Sequence, residues 1–347
     1  MSDISKIDSN FKVETNLTVS DIQFHNVLNE PFQVCGVTYE DGNFTRMPKA
    51  TAKTVSENVF HLSGFTAGGR VRFITDSPYV AVHAKFAHIG RLPHMTLAGS
   101  AGFDLYVNNT YAHTFVPKID IKDTFEGIVG FGAKKMREIT INLPIYSLVK
   151  ELFIGISNTA ELLAPKPYAI SDPIVYYGSS ITHGGCASRP GMIYENIISR
   201  RFNADFVNLG FSGNAKGEKE IAEYISGLKM SCFVYDYDHN APSVEHLKNT
   251  HERMFKIIRE KNPELPIVMM SRPKFRLYGD EFERLNVIKE TYNNALKSGD
   301  KNVYLIEGPK LMELAGEDGT VDGCHPNDLG FASMAKALGD LLEKIIG

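Results

Sequence analysis

The hydrophobic pattern of this 347-residue chain changes period part-way along, and no single sheet or helical bundle accommodates both patterns. Before Lys150, apolar residues fall on alternate positions: Val80, Val82, Ala84 and Phe86; Phe103, Leu105 and Val107; Ile139, Ile141, Leu143 and Ile145. A period of two is that of strands with one buried face. Turn formers separate these runs at Ala67-Gly68-Gly69, Asp76-Ser77-Pro78 and Val107-Asn108-Asn109. No amphipathic helix is read in this half, so the expectation is an antiparallel β-sandwich or jelly roll. Two prolines in Leu163-Ala164-Pro165-Lys166-Pro167 read as a domain edge, which places the domains at 1–167 and 168–347.

Beyond that edge, short apolar strands alternate with helical stretches. The strands are read at Ile174–Tyr177, Phe206–Leu209, Cys232–Tyr235, Ile267–Met270 and Val303–Ile306. Helices are read near Ile193–Phe202, Glu218–Ser226, Val244–Arg259, Glu281–Leu296 and Phe331–Ile346, the last capped by Asn327 or Asp328. This alternation predicts a flavodoxin-like parallel sheet with helices on both faces, and hence an α/β fold. In such sheets the site lies beyond the carboxyl ends of the strands. That rule selects Gly178-Ser179-Ser180, Gly210-Phe211-Ser212-Gly213, Asp236–Asn240 and Ser271-Arg272.

Composition excludes more than it assigns. A formal net charge of −4 gives no reason to expect nucleic acid or an anionic membrane as partner. No run approaches the roughly 18 apolar residues of a membrane span. The polar start, MSDISKIDSNFKVETN, has no apolar signal-peptide core, so a cytoplasmic location is expected. Cys35, Cys186, Cys232 and Cys324 are scattered without a CxxC pair, which argues against a zinc site or a disulfide framework. Asp236, Asp238, His239 and His246 do not suggest a shared metal, because adjacent positions of an extended segment face opposite ways. Neither a metal nor an organic cofactor is expected.

The predicted strand ends carry the parts of a nucleophilic site. Ser180 follows the first strand, in the turn before a helix, and Asp322 and His325 lie in the loop before the last helix. A serine, a histidine and an aspartate form a triad when the imidazole activates the hydroxyl and the carboxylate orients the imidazole. The Ser180 N–H, the Gly213 N–H and the Asn240 amide are candidate oxyanion donors. Substrate contact is assigned to His183, Arg189, His239, Arg272 and, from the first domain, His94. For Arg189 and Arg272 the alternative is a structural ion pair, and Cys324 reads as a small filler in a tight loop.

Four blocks, GSSIT, NLGFSGN, DYDHN and DGCHP, in this order at successive strand ends, resemble those of the SGNH, or GDSL-type, hydrolases. The resemblance covers roughly residues 170 to 347 and implies Ser180 as nucleophile, Gly213 and Asn240 in the oxyanion hole, and Asp322 and His325 as acid and base. Two positions depart from it: Ser179 stands where an acidic residue is usual, and His239 where a small residue precedes the asparagine. In the first half, GFDLY (Gly102 to Tyr106) resembles the signature of a β-sandwich module that precedes some SGNH esterase domains. The pairing implies an acetyl esterase acting on a small acylated carbohydrate through an acyl-enzyme. Alternatives are a lipase or thioesterase, an acyltransferase using the same site, or a glycan-binding protein with reduced catalysis. Self-association into a homo-oligomer is compatible with all of them.

Overall fold

The computed structural model describes residues 15–347; the polar stretch 1–14, where a signal peptide was sought, lies outside the described residues. The first half is built on two antiparallel sheets. One has four strands, Ile22–Asn26, Ser147–Ser157, Tyr79–Ile89 and Thr124–Gly130, in that spatial order. The other has six, with Arg70–Thr75, Arg137–Asn142, Phe103–Val107 and Thr110–Phe115 at its heart. The alternating residues face each other between the sheets, where Val80, Val82, Phe103, Leu105, Ile139 and Ile141 are buried in one apolar cluster. The Asn108-Asn109 turn joins two strands with both residues at positive φ, 49° and 64°. That geometry matches the right-handed twist of the paired strands and is one that asparagine tolerates.

Two seven-residue helices, Lys49–Val55 and Glu57–Ser63, correct the helix-free reading of this half. Each is too short to display an amphipathic period. The second is announced only by its cap, with the Ser56 hydroxyl accepting from the Val59 N–H at 3.1 Å. Their buried apolar residues, Ala52 and Val59, join the core of the other half rather than that of the sandwich.

The second half is a five-stranded parallel sheet whose first strand is Ile170–Gly178, followed by Ala204–Gly210, Cys232–Asp236, Ile267–Met270 and Val303–Ile306. In chain order the strands lie 2-1-3-4-5. Alternate residues feed two cores, as expected of strands covered on both faces. Val175 and Tyr177 meet the helices Lys219–Ser226, Val244–Lys261 and Glu281–Lys297, while Ile174 and Tyr176 meet Tyr194–Phe202 and Asp328–Ile345. Asn327 caps the last helix as expected, its side chain accepting from the Leu329 and Gly330 N–H groups at 3.0 and 3.1 Å. Among the described residues no helix is long and apolar enough to cross a membrane.

The two halves meet in shared apolar clusters beside the sandwich's own core. Phe65, Ala67, Ile145 and Tyr146 from the first half are buried in the same cluster as Tyr176 and Phe206. Arg46 crosses the boundary fully buried, and its guanidinium donates to Phe65 O, Leu62 O, Asn208 O, Asn208 Oδ1 and Gly210 O at 2.7–3.1 Å. Burial draws this guanidinium down to about 9, against the pull of Tyr146 and Glu195. Arg70, also buried, donates to Asp205 and to Phe206 O and lies 3.8 Å over the Phe206 ring. Arg46→Met should leave several buried carbonyls unpaired and destabilise the chain by about 3 kcal/mol or more. Arg46→Lys should recover only part of this, because an ammonium cannot reproduce the planar fork. Denaturant midpoints of the two variants check both statements.

Candidate active site

In a 2-1-3-4-5 sheet the connections leave the first strand to opposite sides, and a crevice opens at the carboxyl ends of the first and third strands. Ser180 occupies this crevice as the first residue of the four-residue helix Ser180–His183. Ser179 caps that helix, its hydroxyl accepting from the Ile181 N–H at 3.2 Å, so the position read as a missing acid has a local structural task. Gly178 precedes it for want of room: a Cβ there would lie 1.9 Å from Asp236 Oδ1.

The loop after the fifth strand delivers Asp322 and His325. It closes on itself through a Thr320–Pro326 bridge and the Val321 N–H to His325 O bond of 2.9 Å. The Asp322 carboxylate accepts from the Cys324 and His325 N–H groups at 3.0 and 2.8 Å and from His325 Nδ1 at 2.7 Å. Partial burial opposes ionisation, yet these bonds together with the His325 charge hold the Asp322 carboxyl down to about 2. With Nδ1–H given to Asp322, His325 Nε2 is the acceptor, and it lies 2.9 Å from Ser180 Oγ. A hydroxyl so placed can pass its proton to the imidazole as it attacks, while the carboxylate stabilises the resulting imidazolium. Asp328 ties the two loops together by accepting from the Ser188 N–H at 2.9 Å.

Gly213 and Asn240 lie on the loops after the second and third strands. Gly213 has φ of 69° and no heavy atom within 4 Å of a would-be Cβ, so its backbone borders open space. Asn240 Oδ1 accepts from the Ala215 N–H at 3.3 Å, which leaves the amide Nδ2 as the outward donor. Among the described residues neither the Gly213 N–H nor Asn240 Nδ2 has a hydrogen-bond partner.

Three assignments to substrate contact are corrected. His183 is fully buried and stacks on Tyr146, with ring centroids 4.2 Å apart. Its Nε2 donates to Ile145 O at 3.1 Å, and burial, aided by the Arg46 charge, drives its basicity well below the ordinary value. Arg189 is spent on the first half, donating to Asp104 Oδ2 at 2.7 Å and to the Tyr106 hydroxyl at 2.6 Å. The GFDLY segment is thus the partner of Arg189. Arg272 is held by Glu281 at 3.2 Å and by the Asp238 backbone oxygen at 3.3 Å, the structural ion pair named as its alternative. The spacing of these residues does not reveal their partners, which come from other loops.

His94 and His239 do lie at the site. The His94 ring is 5.3 Å from that of His325. His239 Nδ1 lies 3.8 Å from Cys324 Sγ, while its enclosed Nε2 has no partner among the described residues. Burial, with the charges of Arg272, Lys274 and His325, keeps His239 neutral. Sequence reasoning missed the support of the loop that carries Gly213. The Tyr146 hydroxyl meets Ser212 Oγ at 2.5 Å, and Asn58 donates to Asn214 at 3.0 Å, so the first half braces residues 212–214. No local pattern signals this, because Asn58 and Tyr146 are distant in the chain.

The GDSL-like lipase/acylhydrolase profile matches residues 171–343, and the GxDLY profile, the N-terminus of SGNH hydrolase-type esterases, matches 22–162. A Bacteroides ovatus protein described as a GDSL-like lipase is 30% identical over 94% of this chain and 98% of its own, with a TM-score of 0.84. The chain belongs to the GDSL-like lipase/acylhydrolase family. It is therefore a serine ester hydrolase by family. Two further structures share the fold of this GDSL-family chain. A salicylyl-acyltransferase from a tetracycline biosynthetic pathway is 20% identical, covering 94% of this chain and 99% of its own, at TM-score 0.76. An acetyl xylan esterase from the rumen bacterium Butyrivibrio proteoclasticus is 13% identical, covering 94% and 98%, at TM-score 0.62. No curated protein matched the chain.

Beneath the Ser180 helix of this GDSL-family site lies a second titratable group. Asp236 is buried, its Oδ1 accepts from the Thr182 hydroxyl at 2.6 Å, and its Oδ2 has no partner among the described residues. Burial pushes its carboxyl up to about 7; the Thr182 bond opposes the shift and the Asp238 charge adds to it. A carboxyl raised on folding lends its full stability below the unfolded value and loses it as pH rises through the folded one. Wild-type melting temperature should therefore fall relative to Asp236→Asn as pH rises from about 4 to about 8. Parallel pH–melting profiles of the two proteins would refute this.

Proposed function

We propose that this chain hydrolyses short-chain esters, acetyl esters of a carbohydrate in particular, through an acyl-enzyme on Ser180. The observation that carries the reading is the continuous line from Ser180 Oγ to His325 Nε2 at 2.9 Å and from His325 Nδ1 to Asp322 at 2.7 Å. His325 takes the Ser180 proton as Oγ attacks the ester carbonyl. The Ser180 N–H, the Gly213 N–H and Asn240 Nδ2 receive the oxyanion. His325 returns the proton to the departing sugar oxygen, and water, deprotonated by His325, releases acetate by the reverse sequence. Preference for a short acyl group is supported by His239, which fills with a ring the position that the family usually gives a small residue. The acetyl xylan esterase likeness supports a carbohydrate as the alcohol.

Ser180→Ala should lower kcat by about 10⁴-fold or more. Asn240→Ala should cost about 10²–10³ in kcat, because the donor meets charge that exists only in the transition state. A p-nitrophenyl ester series and acetylated oligosaccharides measure both effects and the chain-length preference. Full activity in Ser180→Ala, or faster turnover of long acyl chains than of acetyl, would sink the proposal.

The likeness to an acyltransferase favours one second reading, in which a sugar hydroxyl replaces water in the second half-reaction. Both share the acyl-enzyme. Product analysis with an acceptor sugar present separates them, free acetate marking hydrolysis and a new sugar ester marking transfer.

A further inference from the structure

Three loops that are remote in sequence bring soft donor atoms together beside the proposed base. His94 comes from the loop after strand Tyr79–Ile89, Cys186 from the turn that ends the Ser180 helix, and His325 from the loop after the fifth parallel strand. One ligand atom from each lies within 4.8 Å of the others. An ion centred among three atoms at that spacing sits about 2.8 Å from each, so shifts of about 0.5 Å for the sulfur and about 0.7–0.8 Å for the nitrogens reach Zn–S and Zn–N bond lengths.

Two of the donors are anchored close to one another. His325 gives Nδ1 to Asp322, so Nε2, which meets Ser180 Oγ at 2.9 Å, is the ring nitrogen left to turn to an ion, with the carboxylate behind the imidazole as in carboxylate–histidine–zinc sites. The Gly184–Cys186 turn lies against the same ring, since a Cβ on Gly185 would be 3.4 Å from His325 Cδ2. Cys186 is a free, buried cysteine at φ of 73°, a left-handed conformation that residues with a side chain rarely adopt. The ester-hydrolysis steps make no use of it.

We propose that His94, Cys186 and His325 form a binding site for a soft divalent cation of the zinc class, and that its occupancy switches the esterase off. Two imidazoles and a thiolate select zinc, cobalt, nickel or cadmium over magnesium and calcium, which take oxygen ligands. On binding, the Cys186 thiol releases its proton to solvent and the sulfur joins the ion. His325 Nε2 donates its lone pair to the ion and can no longer accept the Ser180 proton, so Ser180 keeps its hydrogen and the nucleophile is not generated. The inhibition rests on His325 as base; the binding does not.

Binding is therefore read apart from activity, with Co²⁺ as the probe on the full chain. Cobalt should give a thiolate-to-metal absorption band in the near ultraviolet. That band should vanish in Cys186→Ser and persist in Cys324→Ser. In ester assays, Zn²⁺ should inhibit reversibly, a chelator should restore the rate, and Mg²⁺ or Ca²⁺ at the same concentration should have no effect. Cys186→Ser should keep its uninhibited rate and raise the half-inhibitory Zn²⁺ concentration at least about tenfold. His94→Ala, compared with its own uninhibited rate, should do the same. Absence of the band in wild type, its loss in Cys324→Ser, or equal zinc sensitivity in Cys186→Ser would overturn the proposal. A chain that binds cobalt through Cys186 yet hydrolyses no ester would instead refute the proposed reaction and leave the metal site standing.

Discussion

Arg46 is a buried cation with no carboxylate at ion-pair distance among the described residues, satisfied by oxygens from both halves of the chain. Taking a guanidinium out of water is costly unless its donors are met, and neither half meets them alone. Leu62 and Phe65 supply the first-half carbonyls, while Asn208 and Gly210 supply those at the carboxyl end of the second parallel strand. That strand end leads directly into the loop that carries Gly213, the proposed oxyanion donor. The arginine therefore fixes the distance between the sandwich and the part of the sheet where the proposed chemistry occurs. Arg70 and Arg189 repeat the arrangement at other points of the boundary, each meeting a carboxylate of the opposite half.

The first half thus acts on the site by bracing it. Tyr146 touches Ser212, Asn58 touches Asn214, and the Ile145 carbonyl accepts from His183, which ends the Ser180 helix. An oxyanion donor works when it is already in place and needs no reorganisation as charge develops. The loop around Gly213 is held by its own bonds from the Asn214 and Ala215 N–H groups to Phe211 O, and the contacts from the first half add to these. His94 extends from the sandwich to the ring of His325. There it meets His325 and Cys186, which makes the boundary the place where a cation can compete with the reaction.

Charge is distributed unevenly around this centre. Asp322 is held ionised by backbone N–H groups of its own loop, so its ionisation depends little on the rest of the fold. His183 and His239 are kept neutral by burial and positive neighbours, and Asp236 is pushed towards the protonated form. Asp322 is thus held charged beside His325, while Asp236, below the Ser180 helix, is pushed towards neutrality.

The five parallel strands, their helices, the Asn327 cap and the alternation of the sandwich were legible because each rests on a local period or a cap within a few residues. The placement of Ser180, Gly213, Asn240, Asp322 and His325 on loops that follow parallel strands was legible for a related reason, since such a sheet puts those loops on one edge; the roles given to them are proposals. The short helices at Lys49–Val55 and Glu57–Ser63 were not, since seven residues display no period and their apolar faces answer to the core of the other half. The tasks of His183, Arg189 and Arg272 were equally hidden. Each sits beside the site in sequence, yet what a polar side chain does when buried depends on which donor or acceptor from a distant loop reaches it. Sequence by itself determined the strand order of motifs and the residues able to perform ester chemistry. Tertiary structure alone decided which polar neighbours serve the boundary between the halves and which face the reacting groups, because hydrogen-bond satisfaction in an interior is settled by contacts between segments far apart in the chain.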